Sequence, residues 1–361
     1  VNYTLEDKYL FTVTFRADGS SNFKGNNRYG YFPSGAFAWR MSEEPFIRNL
    51  NVFSDLKLRS SYGLTGNQAI GPYKTLNLLK TAEMSYPFDG NNLSVGIGPG
   101  TPANPELKWE TTAQLDLGID FGFFGGRLSG ALDYYHKKTT DLLLDVNIPD
   151  YNGSGTRTSN VGSLQNKGIE LMLNGMVVDR EDLRLQTGFN ISANRSNELD
   201  LGGAEEIYTN GGYNIGTNPF IVKVGEPLGQ FRGYVYEGVW KTPEAAEAAK
   251  VQRQPGDAHY LNVNGDGEIS GPDMMKIGSA IPDFTWGWNT TLQWKDFDLN
   301  LLFNGSQGND VWNFTRWLPM SFSTDARYAT AREVLDRWTP KNENSDIPGI
   351  TTSTNTLQRT S

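Results

Sequence analysis

The apolar residues of this chain alternate with polar residues, with a period of two, along many consecutive segments. Successive side chains of a β-strand point to opposite sides of the sheet, so such a segment has one apolar and one polar face. The first clear example sets Tyr9, Phe11, Val13 and Phe15 against Thr12, Thr14, Arg16 and Asp18. Strands of roughly ten residues with this pattern cross the bilayer obliquely in outer-membrane barrels. The alternation therefore predicts an all-β fold, an antiparallel transmembrane β-barrel.

The same alternation returns in later segments of the chain. The apolar sets are Leu56, Leu58, Tyr62 and Leu64; Ala113, Leu115, Leu117, Ile119 and Phe121; Leu128, Leu132 and Tyr134; Ile169, Leu171 and Leu173; Leu185, Phe189 and Ile191; Phe284, Trp286, Trp288 and Leu292; and Phe297, Leu299, Leu301 and Phe303. A further pair of spanning strands is predicted between Phe220 and Trp240, because an up-and-down order needs an even number there. The total is about ten to eleven spanning strands, so we expect the complete barrel to be larger.

The predicted strands are joined by connections of two sizes. Short connectors lie at Glu6-Asp7, Gly122–Gly126, Asp179–Asp182 and Lys295-Asp296. Long polar segments lie at Gly66–Glu106, Thr139–Gln165, Asn197–Pro219, Lys241–Pro282 and from Gly308 onward. Outer-membrane barrels show this asymmetry, with short periplasmic turns and long extracellular loops. We therefore expect residues 1–361 to form one partial barrel.

Composition excludes several other classes of protein. No stretch approaches the ~20 apolar residues of a transmembrane helix. The net charge of −9 argues against nucleic-acid binding, which needs a basic patch. The absence of cysteine excludes a disulfide scaffold and a thiolate metal site. Because Val1 opens inside an apparent strand end, with neither an initiating Met nor a signal peptide, we expect the chain to be a fragment.

Several segments, in order along the chain, resemble the SusC/RagA-type transporters, the TonB-dependent outer-membrane receptors of Bacteroidetes. They are Arg16–Phe23, Tyr31–Ser34, Trp39-Arg40, Leu56–Asn67, Asn104–Glu110, Asn160–Ser163, Asn166–Leu171, Asn264–Gly267, Ile277–Ser279, Pro282–Thr285 and Arg337–Pro340. Each segment alone is a weak signal, whereas the ordered series over nearly the whole chain is specific.

This resemblance implies a roughly 22-stranded barrel closed by an N-terminal plug, of which the chain is about half. The plug, the TonB box and the last strands are not among the matching segments, so they are expected outside this sequence. The resemblance also implies nutrient uptake energised by TonB through the plug. Oligosaccharides or peptides would be captured with a SusD-like lipoprotein as a lid, and the barrel wall would contact outer-membrane lipids.

The sharpest local motif is an EF-hand-like loop. Its oxygen-bearing side chains follow calcium-loop spacing, with a turn glycine at Gly267 and a carboxylate at the last position: Asn262, Asn264, Asp266, Glu268, Ser270 and Asp273. Asn replaces Asp at the first position, and the shorter Asp replaces Glu at the last. The sequence thus offers a candidate Ca²⁺ site, with a self-capped hairpin turn as the alternative.

Aromatic residues fall into two predicted groups. Trp39, Trp286, Trp288 and Trp294 are predicted to face lipid at the membrane interfaces. Tyr208, Tyr213, Trp312 and Trp317 lie in predicted outer loops, where they would stack on sugars or pack against neighbouring loops. The two histidines, His136 and His259, lack the spaced partners of a zinc site or a catalytic triad. Carboxylates Asp116, Asp120, Asp133 and Glu170 are expected to line a lumen or pair with Arg127, Lys137 and Arg184.

No catalytic constellation is found, and we expect a non-enzymatic transporter. The alternative is a soluble or cell-surface β-sandwich that binds carbohydrate or mediates adhesion. A sandwich needs a second sheet to cover each apolar face. The exposure of Phe284, Trp286, Trp288, Leu299 and Phe303 therefore distinguishes the two interpretations. A surface glycoside hydrolase ranks last, because the sequence offers no preferred pair of carboxylates.

Overall fold

The computed structural model describes residues 1–81, 86–88, 90, 92, 95–149, 155–209, 218–320 and 331–349. The chain divides into two compact units. The first unit comprises Val1–Glu206, Lys223–Pro227 and Asp283–Gln307, and the second comprises Ile207–Val222, Leu228–Pro282 and Gly308–Ser361. Among the described residues, no helix has the length and apolar character needed to span a membrane.

The first unit is built on one antiparallel sheet of ten strands. Their order in the sheet follows the chain, and each strand pairs with the next one in the following list. The strands are β1 (Asn2–Leu5), β2 (Tyr9–Gly19), β3 (Tyr29–Arg40), β4 (Phe53–Asn67), β7 (Glu110–Phe123), β8 (Leu128–Thr140), β11 (Ser163–Arg180), β12 (Leu183–Asp200), β19 (Phe284–Trp294) and β20 (Phe297–Gln307). Two short ribbons, β5 (Leu79–Lys80) with β6 (Gly98–Pro99) and β9 (Leu143–Asn147) with β10 (Thr156–Asn160), lie in the connections.

The sheet has one apolar and one polar face, as the alternation predicts. On the apolar face, aromatic residues of neighbouring strands meet in register, as in the pair Phe11–Phe37. Phe15, Leu117 and Ile169 are 68%, 44% and 53% exposed on this face. Among the described residues, these ten strands contribute only Phe32 to the buried hydrophobic side chains. A soluble sheet of this size would bury one whole face, so the structure excludes the sandwich alternative.

The connections separate by length between the two ends of the sheet. At the short end the strands are joined through residues 6–8, 41–52, 124–127, 181–182 and 295–296. At the long end the connections run through residues 20–28, 68–109, 141–162 and 201–283. The predicted segregation of short and long connections is thus confirmed for β4 onward. The two connections that flank β3 do not follow this rule. The long-end connection 20–28 is short, and the short-end connection 41–52 is longer than the others at that end.

The prediction of two spanning strands between Phe220 and Trp240 is wrong. This region holds three strands of four residues each, β14 (Phe220–Lys223), β15 (Gln230–Gly233) and β16 (Tyr236–Val239). None of them joins the ten-stranded sheet. The aromatic residues here mimic a strand face, but Pro227, Gly229 and Gly233 break the segment into pieces too short to span a bilayer. One connection therefore joins β12 directly to β19.

The second unit consists of short elements around a small aromatic core. Four short strands form one sheet in the order β13 (Glu206–Thr209), β14, β15 and β18 (Met275–Ser279). A separate two-stranded sheet pairs β16 with β17 (Ala258–Tyr260). Tyr234, Ala258 and Tyr260 form the buried cluster. Within the described ranges the α-helices are α1 (Pro45–Arg48) in the first unit and α2 (Ala245–Lys250) and α3 (Phe314–Met320) in the second.

Candidate functional site

The polar face of the sheet carries a cluster of four charged side chains on three neighbouring strands. Arg59 of β4 donates to Asp120 of β7 through both Nε and Nη2, with the shortest contact at 2.7 Å. The same guanidinium reaches Asp133 of β8 at 2.8 Å, and Lys57 contacts Asp120 at 2.7 Å. Two cations thus balance two carboxylates. We call these four residues the charged cluster.

A glycine makes room for the charged cluster. Gly118 of β7 lies opposite Arg59 and Asp133 in the strand register. A Cβ at this position would lie 2.4 Å from the Asp133 carboxylate and 2.8 Å from the Arg59 guanidinium carbon. The guanidinium therefore crosses the sheet directly above the Gly118 backbone. A side chain at this position would force the Asp133 carboxylate and the Arg59 guanidinium to shift.

Further polar contacts continue along this face. Asp116 accepts from Ser61 at 3.0 Å and from Gln114 at 2.7 Å, and Tyr135 donates to Asn194 at 2.9 Å. The expected pairing of these carboxylates with Arg127, Lys137 and Arg184 is wrong. Arg127 donates to the backbone carbonyls of Met176 and Val177, Lys137 lies over the Tyr135 ring, and Arg184 pairs with Asp179. Sequence parity places a residue on the correct face, but only the register determines its partner.

At the short end, the connection 41–52 is fastened to the apolar face by one carboxylate. Glu44 accepts from the Tyr9 hydroxyl at 2.8 Å, from the Trp39 indole N–H at 3.2 Å and from Lys8 at 3.2 Å. The hydrogen bond from Tyr9, together with Trp39 and Lys8, holds the pKa of Glu44 below its usual range. The role of Glu44 cannot be predicted from local sequence, because its three partners lie on strands β2 and β3 and on the turn before β2.

The six residues of the EF-hand-like motif lie together in one loop that uses its own oxygens. The Asp273 side chain is fully buried, and its carboxylate accepts from the backbone N–H groups of Val263 at 2.8 Å and Ser270 at 2.9 Å, with Asn264 at 3.4 Å. Although burial opposes ionisation, these backbone donors hold the pKa of Asp273 below its usual value.

Three further side-chain oxygens of this loop accept backbone N–H groups in the same way. Asn262 accepts from the N–H of Gly265, Asn264 from that of Asp266, and Asp266 from that of Glu268. Among the described residues, no group of three or more histidine or acidic side chains converges to hold a metal ion. The arrangement matches the self-capped turn, and the Ca²⁺ site stays a prediction.

Of the four aromatic residues predicted to lie in outer loops, the structure describes the side chains of two, and both contact neighbouring side chains. Trp312 packs on Phe220 and Phe231 with ring centroids 6.3 Å and 5.7 Å away. The ring of Tyr208 is covered by the Arg232 guanidinium at 4.2 Å. Tyr213 and the side chain of Trp317 lie outside the described residues. Trp312 is half-buried in this packing, whereas Tyr208 remains 39% exposed.

The predicted interfacial tryptophans lie on the apolar face. Trp288 stacks on Phe303 of the neighbouring strand, and Trp294 stacks on Phe297. Trp288, Leu299 and Phe303 are exposed, whereas Phe284 and Trp286 are half-buried. The histidines are engaged separately: His136 contacts Gln165, and His259 stacks on Trp240 beside Glu237.

The chain is similar in sequence to a family of outer-membrane receptors. The family model "TonB dependent receptor-like, beta-barrel" matches residues 1–352. A TonB-dependent receptor of Formosa agariphila, P26, is 42% identical over 352 residues, which are 96% of this chain and 35% of that protein. The TonB-dependent receptor SusC of Bacteroides thetaiotaomicron is 35% identical over 322 residues, 86% of this chain and 31% of its own length.

A solved structure agrees with these relatives. The chain is similar to one chain in the structure of the RagAB peptide transporter, with a TM-score of 0.80 and 28% sequence identity. The match covers 96% of this chain and 37% of the RagAB chain. The chain thus spans about a third of the length of the relatives that it matches.

Proposed function

Since the chain belongs to the TonB-dependent receptor β-barrel family, whose members are outer-membrane proteins, we propose that it forms part of the wall of a SusC/RagA-type nutrient importer. Nutrient import would be the activity of the longer protein, and this chain would supply one segment of its barrel wall. Uptake by that protein would be energised by TonB.

The single observation that carries this proposal is the two-faced sheet. One face exposes apolar and aromatic side chains, and the other holds ion pairs and polar contacts such as the charged cluster. In a membrane barrel the apolar face contacts hydrocarbon and the polar face lines a hydrated lumen. Because lipid offers no hydrogen-bond partners, every strand inside it must pair on both sides. The eight inner strands of the sheet do so.

We assign the short end of the sheet to the periplasm and the long end to the cell exterior. Short turns are periplasmic and long loops are extracellular in bacterial outer-membrane barrels. The connection 201–283, which contains most of the second unit, would then lie outside the cell. In that position it would contribute to the surface on which substrate and a partner lipoprotein assemble.

Single-cysteine labelling tests this topology, with any cysteine of the receptor outside this cysteine-free chain first replaced by serine. In the full-length receptor, Glu205→Cys marks the long end and Glu181→Cys marks the short end, and both residues are exposed. A membrane-impermeant maleimide added to intact cells should label Glu205→Cys. It should label Glu181→Cys only after the outer membrane has been permeabilised. The reverse pattern would overturn the orientation, and recovery of a folded receptor in the aqueous fraction would overturn the membrane barrel.

The proposed cargo is an oligosaccharide or a peptide, taken up with a SusD-like lipoprotein and TonB. The RagAB structure is that of a peptide transporter, and the SusC/RagA resemblance implies oligosaccharides as well, so we keep both cargo classes open. Deletion of the receptor gene should abolish uptake of one class while sparing the other. Purification of the tagged receptor should recover a SusD-like lipoprotein. Unchanged uptake of both classes, with no co-purified lipoprotein, would contradict the proposal.

A further inference from the structure

The connection between β3 and β4 differs from the other four at the short end. It runs from Met41 to Val52 and contains α1, whereas the others comprise only residues 6–8, 124–127, 181–182 and 295–296. A turn that merely joins two antiparallel strands needs only a few residues. The additional residues of this connection therefore call for an explanation beyond chain reversal.

This connection folds back along the apolar face of the sheet. Glu44 holds it there through the polar tips of Tyr9 and Trp39, and its side chain is only 12% exposed. Tyr9 and Trp39 are paired in register and stacked with ring centroids 6.2 Å apart. They lie on the same face as Phe11 and Phe37, which the family's barrel presents to lipid. The connection consequently lies at the rim of the lipid-facing surface.

Three apolar side chains of the connection remain exposed. Phe46, Leu50 and Val52 are 57%, 56% and 53% exposed, and Phe124 of the adjacent β7–β8 turn is 75% exposed. Leaving such surface in water costs about 25 cal/mol per Å². Tyrosine and tryptophan rings mark the depth at which a barrel meets the headgroup layer. At that depth these side chains would enter the acyl region of the periplasmic leaflet.

A cleft of about 590 Å³ separates the connection from the β7–β8 turn. This volume lies within the roughly 300–1,000 Å³ range of small-molecule sites. Phe53, Phe123 and Phe124 form its apolar side, and the rings of Phe53 and Phe123 are 5.1 Å apart on the apolar face. Arg48 and Glu43 line its polar side and form an ion pair whose side chains are 66% and 44% exposed.

The cleft therefore pairs an apolar wall with one positive and one negative group. A phospholipid with a phosphoethanolamine headgroup has the complementary composition. Its phosphate would meet the Arg48 guanidinium, its ammonium would meet the Glu43 carboxylate, and one acyl chain would lie along the phenylalanine rings. Because Glu43 already shares the Arg48 guanidinium, an anionic headgroup without an ammonium would place two negative charges on one cation, which is unfavourable. Arginine binds phosphate through a planar fork of donors.

We propose that residues 41–52 form an interfacial anchor in the periplasmic leaflet, and that the cleft beside Arg48 and Glu43 binds one phosphatidylethanolamine molecule. This inference rests on the proposed orientation, because the periplasmic leaflet is reached only if the short end faces the periplasm. The bound lipid would hold the periplasmic rim of the importer's wall in the membrane.

Native mass spectrometry of the full-length receptor tests the lipid site. After detergent exchange, the receptor is titrated with dioleoyl lipids that carry phosphoethanolamine, phosphocholine or phosphoglycerol headgroups. Phosphoethanolamine lipid should bind most tightly. Arg48→Gln should weaken its binding about tenfold, as expected for the loss of one charge-assisted hydrogen bond. Glu43→Gln should reduce the preference for phosphoethanolamine over phosphoglycerol lipid.

A matched control uses the other exposed ion pair at the same end. Arg184 and Asp179 lie 3.2 Å apart with side chains 61% and 55% exposed, outside the cleft. Arg184→Gln should leave lipid binding unchanged. All variants are compared after confirming wild-type amounts of folded receptor in the outer membrane. Equal binding of the three lipids, or equal binding by wild type and Arg48→Gln, would overturn the lipid site.

Spin labels test the anchor independently of the lipid's identity. A label at Phe46→Cys should be accessible to oxygen and shielded from a water-soluble paramagnetic reagent, whereas a label at Glu181→Cys should show the opposite. Equal access of the water-soluble reagent to both would overturn the anchor. If the maleimide pattern supports the orientation and no lipid is selected, the lipid site fails while the importer stands. If that pattern is reversed, the orientation and the anchor fail together.

Discussion

The ten-stranded sheet and the second unit place the same kinds of side chain in opposite surroundings. In the sheet, Phe303 and Trp288 stack on an exposed face. In the second unit, Tyr234 and Tyr260 are buried, with ring centroids 5.7 Å apart. The sheet leaves its apolar side chains outside because hydrocarbon is their solvent, whereas the second unit covers them because water is. Hydrophobic pattern thus identifies a face, and the surroundings decide whether that face is covered.

The largest expected effect is that of a charge on the apolar face. Leu117→Arg places a guanidinium on an exposed position of β7 and should destabilise the folded receptor by about 2–4 kcal/mol if that position lies near the bilayer midplane. The control Gln114→Arg lies on the polar face of the same strand, where a cation can keep the contact with Asp116. The measurement is the free energy of unfolding in lipid vesicles, from denaturant titration. Equal losses for both variants would remove the distinction between the faces.

The second unit should be sensitive instead to a buried carboxylate. In Asp273→Asn, the amide NH₂ would face the backbone N–H of Ser270, which now donates to Oδ2 of Asp273. Leaving that donor without an acceptor should destabilise the loop by about 1–3 kcal/mol. Hydrogen exchange of residues 262–273 measures the loss. Wild-type exchange rates in the variant would show that the carboxylate does not hold the loop.

The low pKa of Asp273 fixes the direction of the pH effect. Because the pKa is lower in the folded state, the ionised carboxylate stabilises the loop above the ordinary Asp value of about 3.9. That contribution is lost as the pH falls through the lower, folded-state pKa. The wild-type loop should therefore lose exchange protection, measured relative to the intrinsic amide rate at each pH, at strongly acidic pH, while Asp273→Asn should lack this acid-dependent step.

The same loop allows the predicted calcium site to be tested. If Asn262, Asp266 and Asp273 bind Ca²⁺, added Ca²⁺ should slow exchange of residues 262–273 in the wild type. The affinity should fall in Asp266→Asn. If the self-capped turn is the whole structure, Ca²⁺ will leave exchange unchanged, since Asp273 already accepts backbone donors.

The sequence predicted the faces of the sheet well, and it predicted partners poorly. Alternation placed Arg59 and Asp120 on one face because parity is a local property of each strand. It could not pair Arg59 with Asp120 and Asp133, since that requires the registers of β4, β7 and β8. The same limit applies to Glu44, whose contacts depend on how the connection 41–52 folds back. Phe220–Trp240 failed for another reason: aromatic residues imitate a strand face even where glycine and proline interrupt it.

A smaller effect is expected when the charged cluster loses its shared cation. Arg59→Gln leaves Asp120 with Lys57 and deprives Asp133 of the guanidinium that lies 2.8 Å away. The Arg59 side chain is 36% exposed, so water screens the loss, and we expect about 1 kcal/mol. Arg59→Lys keeps the charge without the fork and should lose less. Unfolding titrations at low and high salt measure both, and an effect that does not shrink with salt would argue against an electrostatic origin.

The smallest effect should come from removing one aromatic ring on the apolar face. Phe303→Leu loses the stacked contact with Trp288, at a centroid distance of 5.4 Å, but the side chain stays apolar in an apolar solvent. Only the cross-strand pair term, about 0.2–1 kcal/mol, is lost. The matched change Phe231→Leu in the second unit removes a buried ring that packs on Phe220 and Trp312, and should cost as much as about 1.5 kcal/mol. Denaturant titration measures the free-energy loss of Phe303→Leu, and hydrogen exchange of β15 measures that of Phe231→Leu. A larger loss for Phe303→Leu would mean that its ring is shielded from water by protein, and the contrast between the two units would then disappear.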